Sequence, residues 1–289
     1  MLALVVLAFY ALLILAAAVD FARMAPARRG GSALDRRSPR LRLVLPFAMA
    51  WIGVQSGLLV LAVLTGDGRA SNVALLHLLN GVLFLLILPA GMHFANSLGR
   101  PALPLAWVFR RGGFAPGRVS LAARTGVASP RRLLLVLFAV PVAFSVVLFL
   151  LVPPEASPRA TEALSFDDHH PVANALLITN LLLAAPFVEE IIYRHYIQTR
   201  LAALLVRMAG GARRARLPAV LVAIAATTAL FSLSHTQMLV DDRVKYLQIG
   251  VLGGALGWCQ WRLGTECAIL LHYAFNFAMI ALVPVLLAR

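Results

Sequence analysis

Apolar runs separated by short polar stretches fill this chain from one end to the other. The runs predict helices at residues 2–19, 43–64, 72–96, 133–152, 172–208, 218–235, 246–261 and 267–287. Most approach or exceed the roughly 20 residues that carry a helix across a bilayer. Nothing in them alternates with the period of a transmembrane β-strand. The pattern predicts an all-α fold, a polytopic transmembrane helical bundle of about eight spans. The first run has no basic segment before it and arginines after it, which predicts a membrane helix rather than a cleaved signal peptide. Pro153-Pro154 ends the fourth helix, and Gly210-Gly211 ends the fifth. No internal repeat and no soluble domain interrupts the series. Residues 1–289 read as a single membrane domain, with an N-terminal four-helix part at 1–152 and a catalytic four-helix core at 153–289.

Composition agrees with the pattern. The 289 residues are 61% hydrophobic and 13% charged. A soluble domain carries about 25% charged residues. The net charge of +14 does not point to nucleic acid, because the arginines gather in a few loops. Under the positive-inside rule the loops at 21–42, 97–132 and 207–217 are cytoplasmic, and those at 65–71 and 153–170 are external. The arginines then face anionic lipid headgroups. Cys259 and Cys267 lie in apolar surroundings and read as small buried hydrophobes.

Polarity inside the runs is concentrated in the second half. Glu189, Glu190 and Arg194 stand deep in the fifth helix, where a charge costs at least roughly 2.5–3.5 kcal/mol unless it faces protein or a wet cavity. Glu190 and Arg194 are i and i+4, acid first, the favourable order for an ion pair. On an α-helix Glu189 is turned about 100° from Glu190, so Arg194 holds one carboxylate and leaves the other over. A spare carboxylate against an apolar wall can serve as a general base near neutral pH. Pro186, one turn earlier, would kink the helix and open space there. His235 closes the sixth run. Folding the fifth and sixth helices about Gly210-Gly211 brings it to the depth of Glu189. His272 and Asn276 share one face of the eighth helix. Taken singly, these residues read as an ion pair, an interfacial histidine and interhelical hydrogen-bond formers. Together they fit hydrolysis of a peptide bond, with Glu and His activating water and His and Asn donating to the oxyanion. They also resemble a zinc set, although no H-E-x-x-H is present. The placement puts His272 near the cytoplasmic start of its helix and His235 near the external end of its own, whereas one site needs them level. His195 points away from Glu189 by helical angle. Gly250, Gly253, Gly254 and Gly257 make two small-xxx-small faces on the seventh helix, which let helices approach closely.

Three segments resemble the CAAX-prenyl-protease and bacteriocin-processing (CPBP) family of intramembrane glutamic endopeptidases. They are Glu189-Glu190-Ile191-Ile192-Tyr193-Arg194, Phe231-Ser232-Leu233-Ser234-His235 and His272-Tyr273-Ala274-Phe275-Asn276. They match E-E-x-x-x-R, F-x-x-x-H and H-x-x-x-N in order, over about 172–279. The resemblance implies that Glu189 and His235 activate the hydrolytic water. It implies that His272 and Asn276 form the oxyanion hole, that Glu190 and Arg194 support the site, and that no metal or other cofactor is required. Tyr193, His195 and Glu266-Cys267 depart from the family's usual residues without touching the motifs. The Arg/Ala/Leu-rich composition suggests a bacterial cytoplasmic (inner) membrane. The expected partners are membrane lipid and a membrane-anchored or exported protein or peptide substrate, and not nucleic acid. The alternative from another class is a non-proteolytic membrane scaffold or bacteriocin-immunity protein of the same fold. A transporter is disfavoured by the lack of an inverted repeat.

Overall fold

The computed structural model describes residues 2–27, 41–64, 66, 68–98, 127–158, 174–175, 178–236 and 238–287. Most of the loops at 21–42, 97–132 and 153–170 lies outside the described residues.

Eight helices follow one another among the described residues. They are α1 Leu2–Ala27, α2 Leu41–Leu64, α3 Gly68–Ser97, α4 Pro130–Leu151, α5 over residues 178–208, α6 Arg216–Leu233, α7 Asp242–Leu263 and α8 Thr265–Leu287. No strand occurs among these residues; one isolated bridge joins Ala156 to Leu239. The fold is therefore all-α. By length and composition, the helical segments Ser71–Ala95, Pro130–Leu151, Arg213–Leu233 and Thr265–Leu282 can cross a membrane. α5 and α7 are more polar than a lipid-facing span, and their polar side chains turn inward. Glu190, Arg194, His195, Gln198, Gln248 and Gln260 are all buried in protein. Lipid then meets the leucines and valines left exposed on the other helices, such as Leu135, Val140, Leu221 and Val222.

α5 is the axis of the bundle. It packs against α3 on one side and against α6, α7 and α8 on the other. α4 packs on α7 and α8. One buried apolar cluster draws side chains from all eight helices, among them Leu13, Ala48, Phe84, Phe149, Ile191, Phe231, Leu252 and Leu271. The glycine face of α7 is used selectively. A Cβ on Gly253 would lie 2.9 Å from Thr228 Cγ2 and 3.2 Å from Arg194 Nη2, and one on Gly257 would lie 2.8 Å from Gln198 Oε1. Gly250 and Gly254 have open space at the same point. Close approach of α7 to α5 and α6 thus rests on Gly253 and Gly257. Gly253→Val should lower thermal stability and activity together, while Gly254→Val should leave the melting temperature near that of the parent.

Two polar contacts tie the N-terminal helices to α5. Asp20 of α1 is buried, and its Oδ2 accepts from Tyr196 Oη at 2.6 Å and from Arg200 Nε at 2.5 Å. His195 is wedged between helices, with Nε2 3.0 Å from the Leu88 carbonyl of α3 and Nδ1 3.3 Å from Thr265 Oγ1 of α8. Gly91 makes room for that ring, since a Cβ there would sit 2.6 Å from His195 Nε2. The Thr265 contact also fixes depth. α8 starts beside His195, well inside α5 rather than level with its end at Met208. This removes the conflict over His272, which rises from that inner starting point to the level of Glu190.

α5 is not one regular α-helix. Ala185–Glu189 and Thr199–Met208 are α-helical, whereas Asn180–Ala184 and Glu190–Gln198 are π-helical. A π-turn bonds i to i+5, so side chains at i and i+4 no longer stack directly. The expectation of an α-helical angle between the glutamates and Arg194 gives way to this wider winding.

Candidate active site

Glu190 and Arg194 are fully buried, and Arg194 Nε stands 3.8 Å from Glu190 Oε2. That is ion-pair range but too long for a hydrogen bond, as the i+4 offset in a π-turn would lead one to expect. The guanidinium is stabilised instead by stacking. Arg194 Cζ lies 4.1 Å from the centre of the Phe231 ring and 5.8 Å from that of Tyr193. The other Glu190 oxygen, Oε1, is 3.0 Å from His272 Nδ1. A carboxylate only accepts, so Nδ1 carries the hydrogen when Glu190 is ionised.

Glu189 has different surroundings. Its side chain keeps 26% of its surface, and its Oε2 lies 3.8 Å from His272 Nε2. His272 therefore sits between the two glutamates, one ring nitrogen toward each.

His235 follows the last turn of α6. Its Nδ1 is 2.9 Å from the Phe231 carbonyl one turn back. A carbonyl cannot donate, so Nδ1 holds the proton and Nε2 of the neutral ring is left as an acceptor. Ser234 Oγ is also 3.3 Å from Nδ1. The His235 and Phe231 rings meet edge to face at 4.7 Å, and Phe231 meets His272 at 5.9 Å. Asn276 is half-buried on α8, one turn beyond His272. Ser232 and Ser234 have no acidic partner that would make a triad; Ser234 Oγ donates to the Phe231 carbonyl.

The structure thus brings Glu189, Glu190, Arg194 and His272 into contact and joins His235 to them through one ring. That ring, Phe231, stands in the sequence as the first residue of F-x-x-x-H, to which the sequence reading gave no role. It touches Arg194, Tyr193, His235 and His272. The only hint in the sequence was its place four residues before His235. Lys245 drew no role from the sequence either, yet its neighbour Tyr246 touches Thr236, the residue after His235. Tyr193 was noted only as a departure; it stacks on Phe9 of α1 at 6.1 Å and so brings the first helix to the edge of the site. Among the described residues no group of three His, Cys, Asp or Glu side chains is arranged to hold a metal ion.

Residues 171–278 match the family model described as type II CAAX prenyl endopeptidase Rce1-like. No curated protein and no solved structure matches the chain. The matched segment runs from just before α5 to two residues past Asn276, so it holds all three motifs. Residues 171–278 of this integral membrane protein match an Rce1-like domain, that of the CPBP/CAAX protease family.

Proposed function

We propose that the chain is an intramembrane endopeptidase of the glutamic type, cleaving a membrane-anchored or exported protein in a bacterial inner membrane. Glu189 takes a proton from a water that it shares with His235 Nε2, and the hydroxide attacks the scissile carbonyl. His272 and Asn276 donate hydrogen bonds to the tetrahedral oxyanion. As an imidazolium, His272 can donate from both nitrogens, Nδ1–H to Glu190 and Nε2–H toward the reacting centre. Glu190 and Arg194 hold the α5 side of the site. The proton taken up by the base passes to the leaving amine, which completes the hydrolysis.

The observation that carries this reading is the unequal treatment of two adjacent carboxylates. Glu190 is enclosed and engaged by both Arg194 and His272, while Glu189 is accessible and 3.8 Å from a ring nitrogen. A purely structural ion pair has no need of the second acid.

Reconstituted protein and a candidate precursor allow the test. Asn276→Ala should lower kcat by roughly 10²–10³-fold with little change in KM, as loss of an oxyanion donor does. His235→Ala should cost at least as much. A rise in KM with kcat intact would move Asn276 from transition-state stabilisation to substrate binding. Chelation with EDTA or 1,10-phenanthroline should leave cleavage unchanged. Loss on chelation with recovery in zinc would recast Glu189 or His235 as metal ligands.

A further inference from the structure

Of the 26 Lys and Arg residues in the chain, Lys245 is the single lysine. It lies in the first turn of α7, on the far side of the loop that follows His235. Thr236 Oγ1 and Tyr246 Oη stand 2.9 Å apart, so the neighbour of His235 touches the neighbour of Lys245. The same loop is held from outside by residues 155–157, through Val240 N to Glu155 O at 2.9 Å and Ser157 N to Met238 O at 3.3 Å. Lys245 Nζ donates to Gln248 Oε1 at 3.0 Å, and Gln248 is itself buried.

One of the three ammonium hydrogens is thereby used, and the head group is fixed in direction. Among the described residues no ion pair includes Lys245. It closes on neither Glu189 nor Glu190, and the Thr236–Tyr246 contact keeps its helix turn beside the His235 end of the site. A half-buried cation without a counter-ion is unfavourable until an anion arrives. A lysine is also a different instrument from the arginines used everywhere else. It is a compact point charge on a flexible stem, suited to one carboxylate oxygen rather than to a planar fork.

We propose that Lys245 is a specificity-determining residue that binds a carboxylate of the substrate within a few residues of the scissile bond. The inference rests on the proteolytic reading above. A peptide's terminal carboxylate and an Asp or Glu side chain present the same group, so both sources are tested. The probe is a lipid-anchored peptide library of randomised sequence, made in three forms: free acid, carboxamide, and carboxamide with one fixed Asp near the end. Cleavage by the purified full-length protein in proteoliposomes is read by mass spectrometry, and binding of the same three forms by fluorescence anisotropy.

Wild-type protein should favour one carboxylate-bearing form over the plain amide by roughly ten- to a hundredfold, the scale of one charge-assisted hydrogen bond. Which form is favoured tells terminal from side-chain recognition. Lys245→Met should bring that ratio close to one through KM, and Lys245→Arg should restore part of it. Equal handling of all three forms by the wild type overturns the proposal. So does a Lys245→Met protein that keeps the ratio while losing rate on every form, which would make Lys245 a positioning group for Glu189. If no form is cleaved, the proteolytic reading fails by itself. The binding ratio then still decides whether Lys245 recognises a carboxylate.

Discussion

Glu189→Gln should give a protein that is folded, inserted and without measurable cleavage. The substitution keeps the size and hydrogen-bonding capacity of the side chain and removes only its ability to take a proton. Loss of a general base lowers turnover by roughly 10²–10⁴-fold. Folding should hardly change, because Glu189 is partly exposed and the ion pair of Arg194 is with Glu190. The measurement is precursor processing in membranes carrying the variant, alongside its thermal melting in detergent. Near-normal turnover by a well-folded Glu189→Gln protein would remove Glu189 from the mechanism and pass the role to His235 alone.

Arg194→Ala should fail in the opposite way, through the fold. Arg194 is among the largest fully buried side chains, with its guanidinium against Phe231 and its Nε facing Glu190. Its removal leaves Glu190 as a buried charge with only His272 beside it. Breaking a buried pair from one side costs about 3–5 kcal/mol. It also leaves a cavity against Phe231, on which His235 and His272 both lean. Yield, melting temperature and activity should therefore fall together. Arg194→Lys should recover part of the stability by restoring the charge, but not the flat contact with the ring. A stable Arg194→Ala protein that has lost only activity would mean that Arg194 belongs to the chemistry rather than to its support.

The number and order of the helices were legible because a membrane leaves few alternatives. Backbone polar groups in lipid must be satisfied within the segment, so each apolar run becomes a helix. The runs at 43–64 and 267–287 meet α2 Leu41–Leu64 and α8 Thr265–Leu287 to within two residues at each end. The Glu190–Arg194 pair was legible for a similar reason, since a charge at that depth needs an opposite one nearby. Contacts between distant parts of the chain were not. Nothing local to Asp20 announces Tyr196 and Arg200, which lie about 180 residues away. The starting depth of α8 depends on where Thr265 meets His195, a tertiary fact that loop charge cannot report. Phe231 was visible as a motif position but not as a wall, because a ring's shared role appears only when four side chains are placed around it.

The π-helical winding at Glu190–Gln198 has a consequence for how the chain tolerates change in length. A wide turn holds more residues than an α-turn over the same path, so the segment contains slack. Deleting a single residue between Ile197 and Thr199 would let this stretch rewind as α-helix with little loss of backbone hydrogen bonds. The flanks would then face much as they do now, because a π-turn differs from an α-turn by one residue and the deletion removes that residue. Arg200 would stay on Asp20 and the glutamates against His272. The two ends of α5 answer to different neighbours, and the extra winding is the adjustment that lets one rod satisfy both. The regular α-helix at Thr199–Met208 has no such slack, and a deletion within it turns everything beyond by about 100°. Loss of Gln198 should therefore cost its own contacts with Gly257 and Gln260 while leaving the two ends of α5 on their partners.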